Sequence, residues 1–328
     1  MRALVTGGNG FLGANLIKEL SSFGWQVRAM VRNTADLRSL KGLEYEMFHG
    51  EITNNEHIKK AAEGCSIIIH TAANTSQNAL LSEYYDVNVN GTKNVIDAVK
   101  YNRIGRLIFV STANTFGNGT KEIPGNEEIP INPVFARSGY AKSKLIAQQL
   151  VLEAVKKEKI NATVVNPSFM IGPNDAKPSS GRIILHYYKK RLLLLPPGGK
   201  SFIHVKDVVR GICNAIDKGK SGECYLLTNE NLTYAEFFDK LSEITGISQT
   251  KIMLPAAILR TTGVFGNLAV KLGIRTEINM VNAQMLCEEN YFSAAKAISD
   301  LKLPQTPVKD AIKDAVEWFS DNGYLVKK

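Results

Sequence analysis

Tyr140 and Lys144 close the run Tyr-Ala-Lys-Ser-Lys, a spacing that puts phenol and ammonium on one face of a helix, one turn apart. A tyrosine ordinarily ionises near ~10, and an ammonium beside it favours the phenolate and brings the group toward neutral pH. Such a tyrosine can give a proton to a carbonyl oxygen or take one from an alcohol. By itself the pattern is common and equally describes a surface tyrosine beside a helical lysine. Its meaning depends on what precedes it.

The chain opens with a short apolar strand that runs into Thr6-Gly7-Gly8-Asn9-Gly10-Phe11-Leu12-Gly13, and an amphipathic helix follows at once. In this setting Gly7 permits a tight turn, Gly10 lets backbone approach a pyrophosphate, and Gly13 lets helix pack on strand. The first-turn amides around Phe11 and Leu12, at the positive end of the helix dipole, suit an anion. A plain strand-to-helix turn looks the same in isolation, but the flanking strand and helix favour a dinucleotide. An oxidised nicotinamide would add its own charge to the pull of Lys144 on Tyr140. An NAD site usually offers an acid about twenty residues beyond the loop. Here the second strand ends Met30-Val31-Arg32-Asn33, with no acid. Arg32, with Arg28 or Asn33, can instead pair with a 2′-phosphate, so NADPH is favoured. If Arg32 only solvates a strand end, NAD remains open.

The elements that must position these groups follow a βαβα rhythm. Strands are expected at Ala3 to Thr6, Gln26 to Val31, Glu44 to Phe48, Ser66 to His70, Leu107 to Val110 and Ala162 to Val165. Helices are expected at Phe11 to Phe23, Glu56 to Ala62, Leu80 to Tyr101 and Tyr140 to Lys157, where apolar residues recur at three- and four-residue steps. The fold class this predicts is α/β, a doubly wound parallel (Rossmann) sheet with a smaller, mostly helical C-terminal substrate lobe. The dinucleotide-binding domain is expected over 1–166, with 203–228 returning to it through a helix at Val205 to Lys218 and a strand at Glu223 to Leu227. Residues 167–202 and 229–328 would form the substrate lobe, beginning at the Gly/Pro/Ser-rich stretch Gly172 to Gly181 and closing with a helix at Val308 to Phe319.

With 328 residues, 44% of them apolar and 22% charged, the chain has material for a large core without staples. Cys65, Cys213, Cys224 and Cys287 show no metal-ligand or disulfide spacing, and the five histidines show no ligand pairing, so neither a metal site nor secretion is suggested and a reducing cytoplasm fits best. No signal peptide is apparent. The formal charge of +9 is scattered, and its tightest groups, Lys156 to Lys159 and Lys189 to Arg191, fall at expected helix ends, which argues against nucleic acid. The apolar stretches Leu192 to Pro197 and Ile258 to Leu272 are too short for stable membrane insertion and read as core or pocket wall. A lid against a lipid-like molecule is the alternative.

Taken together, TGGNGFLG, His70-Thr-Ala-Ala73, Asn88-Val-Asn-Gly-Thr92, Val110-Ser-Thr-Ala113 and YAKSK resemble the extended short-chain dehydrogenase/reductase superfamily across essentially the whole chain. VNPSFMIGPNDAKPSSGRII at Val165 to Ile184, FIHVKDVVRG at Phe202 to Gly211 and the closing Thr306-Pro-Val-Lys-Asp and Trp318-Phe-Ser-Asp-Asn-Gly-Tyr324 are similar to its dihydroflavonol-4-reductase-like and sugar-epimerase-like bacterial members. The resemblance implies that Thr112, with Ser111 as fallback, polarises the substrate oxygen, and that Lys144 also holds the nicotinamide ribose. It implies that Asn88 fixes local backbone or a relay water, that Ala72 and Ala73 line the cofactor, and that Pro167 lies beside the nicotinamide. Relatives commonly place an aspartate near adenine where this chain has Gly50-Glu51-Ile52-Thr53, so Glu51 and Ile52 are the corresponding cofactor contacts. Sugar-nucleotide enzymes of the branch often clasp a diphosphate with an arginine before the FIHV-like segment, where Lys200 stands here; lysine binds phosphate only as a point charge. Asp207 reads as a helix N-cap.

The leading reading is therefore an NADPH-linked reductase of an aldehyde or ketone. Its rivals are a nucleotide-sugar epimerase or dehydratase holding its cofactor tightly, with Arg182 available to a phosphate, and a non-catalytic dinucleotide sensor. The partner is a small carbonyl compound or sugar nucleotide, and a homodimer is compatible with the sequence. Asn74, Asn114, Phe135, Met170 and Tyr187 are candidate pocket residues.

Overall fold

The computed structural model describes residues 1–274 and 276–325. Thirteen strands among these residues are β1 (Arg2–Thr6), β2 (Gln26–Val31), β3 (Glu46–His49), β4 (Ile67–His70), β5 (Arg106–Val110), β6 (Ala162–Pro167), β7 (Phe169–Ile171), β8 (Leu192–Leu195), β9 (Gly199–His204), β10 (Cys224–Leu227), β11 (Glu230–Thr233), β12 (Thr250–Met253) and β13 (Glu289–Asn290). The α-helices are α1 (Phe11–Ser22), α2 (Asn55–Ala62), α3 (Leu81–Tyr84), α4 (Gly91–Tyr101), α5 (Pro133–Ala136), α6 (Gly139–Glu158), α7 (Arg182–Lys189), α8 (Val205–Lys218), α9 (Tyr234–Thr245), α10 (Ala256–Lys271), α11 (Met280–Met285), α12 (Ala295–Leu301) and α13 (Val308–Asp321).

Successive side chains of a strand point to opposite faces, and here both faces are apolar, which is what a buried parallel sheet requires. Ala3, Val5, Ile67, Ile69, Ile108 and Val110 pack toward α1 and α8. Leu4, Ile68, Leu107 and Phe109 face the opposite layer, with Ile58, Val95 and Val151 of α2, α4 and α6. The result is a seven-stranded sheet in the order β10-β6-β5-β4-β1-β2-β3, with every neighbouring pair parallel. Because the chain leaves β1 in one direction and returns to its other side at β4, a crevice opens between the carboxyl ends of these two strands. The strand expected to rejoin the sheet after residue 222 is β10, paired with β6.

Two local expectations give way. The single helix expected over Leu80 to Tyr101 is α3, a π-helical turn over Tyr85–Asn90, and α4. A wide turn of this kind is a frequent companion of functional sites and re-aims Asn88 inward. Beyond β6, short strands accompany the helices: β7, β9, β11 and β13 form a small sheet and β8 pairs with β12. Asp207 does not cap α8. His204 does, its Nδ1 accepting from the Lys206 amide at 3.1 Å, while buried Asp207 accepts from the Thr306 amide at 2.7 Å and the Thr306 hydroxyl at 2.8 Å. It therefore ties α8 to the segment before α13.

Gly13 illustrates how tightly α1 sits on the glycine loop that follows β1. A Cβ at this position would lie 2.3 Å from the Gly7 carbonyl oxygen and 2.9 Å from Gly8 Cα, both backbone atoms that cannot move aside. Gly13→Ala is therefore expected to lower unfolding stability by ~1–3 kcal/mol, the usual cost of overpacking. An unchanged urea midpoint would contradict this packing.

Candidate active site

Gly7 makes the first turn at φ +69°, a conformation that side chains rarely adopt, and a Cβ there would stand 2.8 Å from Ala72 Cα. The loop carrying Ala72 and Ala73 thus lies directly against the glycine loop across the β1–β4 crevice. Thr71 Oγ1 donates to the Thr6 carbonyl at 2.7 Å, and the Ala72 amide donates to Thr6 Oγ1 at 3.3 Å. Helix α1 starts at Gly10 without a side-chain cap and without an acid in its first turn. The amides of Phe11, Leu12 and Gly13 consequently keep their need for an acceptor, and the dinucleotide pyrophosphate fits that need. The glycine-lined, uncapped helix end is the observation by which this site fits the cofactor.

At the end of β2, Arg32 is exposed and makes no ion pair among the described residues. Arg28 is unavailable to a cofactor: it is buried, donating to Glu46 at 2.9 Å and to the carbonyls of Ala61 and Glu63 at 2.7 and 2.8 Å. Its alternation along the strand turns it away from the crevice. On the far side, Glu51 is exposed and its amide donates to His57 Nδ1 at 3.2 Å, while the Ile52 carbonyl accepts from Asn94 at 3.0 Å.

Ser138 caps α6, and Tyr140 and Lys144 occupy its first turns. Lys144 is 2% exposed, and its Nζ donates to the Val110 carbonyl at 2.7 Å and stands 4.3 Å from the centre of the Phe109 ring. Burial pulls its pKa down to about 7. Burial pushes the Tyr140 phenol up to about 12, with a Thr112 hydrogen bond working in the opposite direction. The expected lowering of the Tyr140 pKa by Lys144 is therefore absent from this state, because desolvation dominates and the ammonium is turned to a carbonyl.

Thr112 sits where β5 ends, its carbonyl accepting from Asn166 Nδ2 at 3.1 Å and from Thr115 Oγ1 at 2.8 Å. Asn166 also donates to Thr115 Oγ1 at 3.1 Å and to Gln148 Oε1 at 2.8 Å. This buried amide locks the Thr112 turn to β6 and α6. Sequence reasoning missed Asn166 and Gln148; the only signal was a polar residue closing the apolar run Ala162 to Val165. Ser111 Oγ is buried and unpartnered. Asn88 is wholly engaged by protein: its Oδ1 accepts from the Asn74 amide at 2.7 Å, and its Nδ2 donates to the Asn74 carbonyl at 3.1 Å and to Ser143 at 2.9 Å. It clamps the loop after β4 to the helix that carries Tyr140. Pro167 ends β6, pairing with Leu227.

Asn114 lies beside this centre and accepts from Asn290 Nδ2 at 3.0 Å. Lys200 is half-buried with its ammonium 5.3 Å from the Phe169 ring centre, and burial pulls its pKa to about 8. Arg182 is held by Glu277 at 2.9 Å. Phe135 and Tyr187 are 1% and 0% exposed and belong to the core rather than to a pocket wall. No group of three or more His, Cys, Asp or Glu able to hold a metal occurs among the described residues.

Residues 3–227 match the model of the NAD dependent epimerase/dehydratase family. A Synechocystis sp. protein that carries the name dihydroflavonol 4-reductase is 32% identical, with 98% of this chain and 95% of that protein covered. Sterol demethylase protein B of Methylococcus capsulatus is 30% identical, with 99% of this chain and 100% of that protein covered. The crystal structure of gox2253 superposes with a TM-score of 0.86 at 28% identity, covering 99% of each chain.

His70 supports the site from beneath, its ring bonded to Thr6 Oγ1 at 2.8 Å and Thr92 Oγ1 at 3.2 Å. Burial, then the Lys144 charge, lowers its pKa from 6.5 to about 3. Between those values the unfolded chain binds a proton that the folded chain refuses, so stability is present above pH 6.5 and is lost as pH falls toward 3. The unfolding free energy should therefore fall more steeply across this window in the wild type than in His70→Gln. Parallel slopes would show that His70 carries no such penalty.

Proposed function

The chain belongs to the NAD-dependent epimerase/dehydratase family, an NAD(P)-dependent group, and within it we propose that this member is an NADPH-dependent reductase of an aldehyde or ketone. The observation that carries this reading is the state of the cations on the substrate side. Lys200, at the place of a diphosphate-clasping arginine, offers a single ammonium held against the Phe169 ring, and Arg182 is already paired with Glu277. A diphosphate would meet no free bidentate guanidinium at either residue. The name of the Synechocystis relative and the length over which it matches point the same way.

The cofactor is held by Gly7, Gly10, Phe11, Leu12 and Gly13 at the pyrophosphate, by Ala72 and Ala73 along the crevice, and by Glu51 and Ile52 at the adenine end. Arg32, exposed and unpaired, meets the 2′-phosphate. When bound, the reduced dinucleotide supplies the hydride that adds to the carbonyl carbon. Tyr140 gives its phenolic proton to the carbonyl oxygen, completing the alcohol, and recovers a proton from solvent. The Thr112 hydroxyl donates to the same oxygen as negative charge builds on it. Lys144 holds the nicotinamide ribose and favours the phenolate left behind. The substrate lies between the sheet domain, residues 1–166 with 203–228, and the lobe formed by 167–202 and 229–328. Asn88 and Asn166 act through the loops they fix.

The purified enzyme should oxidise NADPH in step with reduction of a carbonyl compound. Interconversion of a sugar nucleotide by protein isolated with oxidised cofactor bound, and no net change in NADPH absorbance, would overturn the reading. Tyr140→Phe should leave NADPH binding intact and slow turnover by roughly 10²-fold or more; an undiminished kcat would remove Tyr140 from the mechanism. Arg32→Ala should weaken NADPH by about tenfold or more while changing NADH little. Equal affinities of the wild type for both cofactors would end the case for NADPH.

A further inference from the structure

Helix α10 is packed the wrong way round for a globular protein. Its small residues face inward: a Cβ on Gly263 would lie 2.8 Å from Met280 Cα, and one on Gly266 would lie 1.8 Å from the Ile278 carbonyl oxygen. Its large apolar residues face outward. Ile258 is 49% exposed, Val264 55%, Phe265 67% and Leu268 55%, and Leu272 just beyond the helix is 73% exposed. At helical steps of three, four and seven these residues form one continuous stripe. The preceding β8–β12 pair adds Leu192, Leu194 and Ile252, with Leu194 and Ile252 in register. Scattered exposed leucines need no explanation, but a stripe of this extent does. The expectation that Ile258 to Leu272 is core or pocket wall is thus reversed.

The charge around the stripe identifies what covers it. Between residues 244 and 276 the sequence has no Asp or Glu and four Lys or Arg. Lys189, Lys190 and Arg191, which lead into β8, are exposed and unpaired among the described residues. The acids at the borders are already neutralised: Glu277 holds Arg182, and Asp239 holds Lys251. An apolar stripe with the unpaired cations Lys189, Lys190 and Arg191 beside it complements the headgroups and outer acyl region of an anionic bilayer. No helix among the described residues is long and apolar enough to cross a membrane, so contact would be with its surface.

We infer that α10, with the β8–β12 edge and the Lys189–Arg191 cations, docks this protein peripherally on an anionic lipid surface. Position gives the docking a use. The α10–α11 hairpin packs on α5, which leads through Ser138 to Tyr140, and the segment after α11 is pinned by the Gly198 amide donating to the Leu286 carbonyl at 3.2 Å and by Asn132 donating to Glu288 at 3.3 Å. The docked helix is therefore joined through α11 to α5 and to the start of the helix that carries Tyr140.

Flotation of the full chain with vesicles of equimolar phosphatidylglycerol and phosphatidylcholine, against phosphatidylcholine alone, tests this directly. The wild type should float with the anionic vesicles, remain in solution with the neutral ones, and be released by high salt. Phe265→Ser/Leu268→Ser leaves the glycine face untouched and should reduce the bound fraction by about tenfold or more while NADPH titration stays unchanged. Lys190→Glu/Arg191→Glu, remote from α10 packing, should weaken anionic binding to a similar degree. Failure of the wild type to float, equal flotation with both vesicle types, or indifference to both variants overturns the inference. A dimer in sedimentation that Phe265→Ser/Leu268→Ser converts to monomer would assign the stripe to a second copy and overturn it equally.

Discussion

Everything at the carboxyl end of the sheet depends on the desolvation of two ionisable groups next to one another. Lys144 is buried and Tyr140 half-buried, and desolvation drives each toward its neutral form, the phenol to about 12 and the amine to about 7. A protein that buries such groups must fix their neighbours, because an unsatisfied polar atom in this setting costs more than a satisfied hydrogen bond gains. The surrounding polar residues do this in sets. Asn166 binds the Thr112 turn to α6, Asn88 binds the Ala73–Asn74 loop to Ser143, and His70 joins β1 to α4 through Thr6 and Thr92. Each set crosses between elements distant in sequence, so the geometry of the centre is a product of the whole parallel sheet.

That dependence explains what could be read from the sequence. The glycine loop and the Tyr140–Lys144 pair are local: a few residues specify a turn, a helix start and a shared face. Strand alternation and helical spacing carried the doubly wound sheet, including the return of β10 to its edge. The family match over residues 3–227 agrees with that reading. What escaped is non-local. Whether Arg28 faces the crevice or the Ala61–Cys65 turn depends on strand phase; Asp207 meets Thr306 only when the last helix has docked; and the π turn at Asn88 is invisible to a period of three and four. Asn166 looked like the end of a strand, and nothing in its neighbourhood pointed to Gln148.

The lobe beyond β6 was read least well, for a different physical reason. Periodicity reports that a helix has an apolar face, and the natural inference is that this face is buried. In α10 the glycines set the buried face and the large side chains are left outside. Small residues permit close backbone approach without contributing to an apolar signal, so the pattern pointed to the wrong side. The same lobe carries Lys200 on β9 and Asn290 on β13, the latter a strand of two residues in which no alternation can be read.

The central claim is that burial, with Tyr84 beside it, holds Tyr140 neutral and that charge brought in next to it converts it to a working acid. Tyrosinate absorbance, followed against pH as the difference between wild type and Tyr140→Phe, reads that ionisation directly. Without dinucleotide the difference should titrate near 12, above the ordinary 10. In saturating oxidised dinucleotide it should move down toward neutral pH. A free-protein value at or below 10, or a value that oxidised dinucleotide leaves unmoved, would contradict the account.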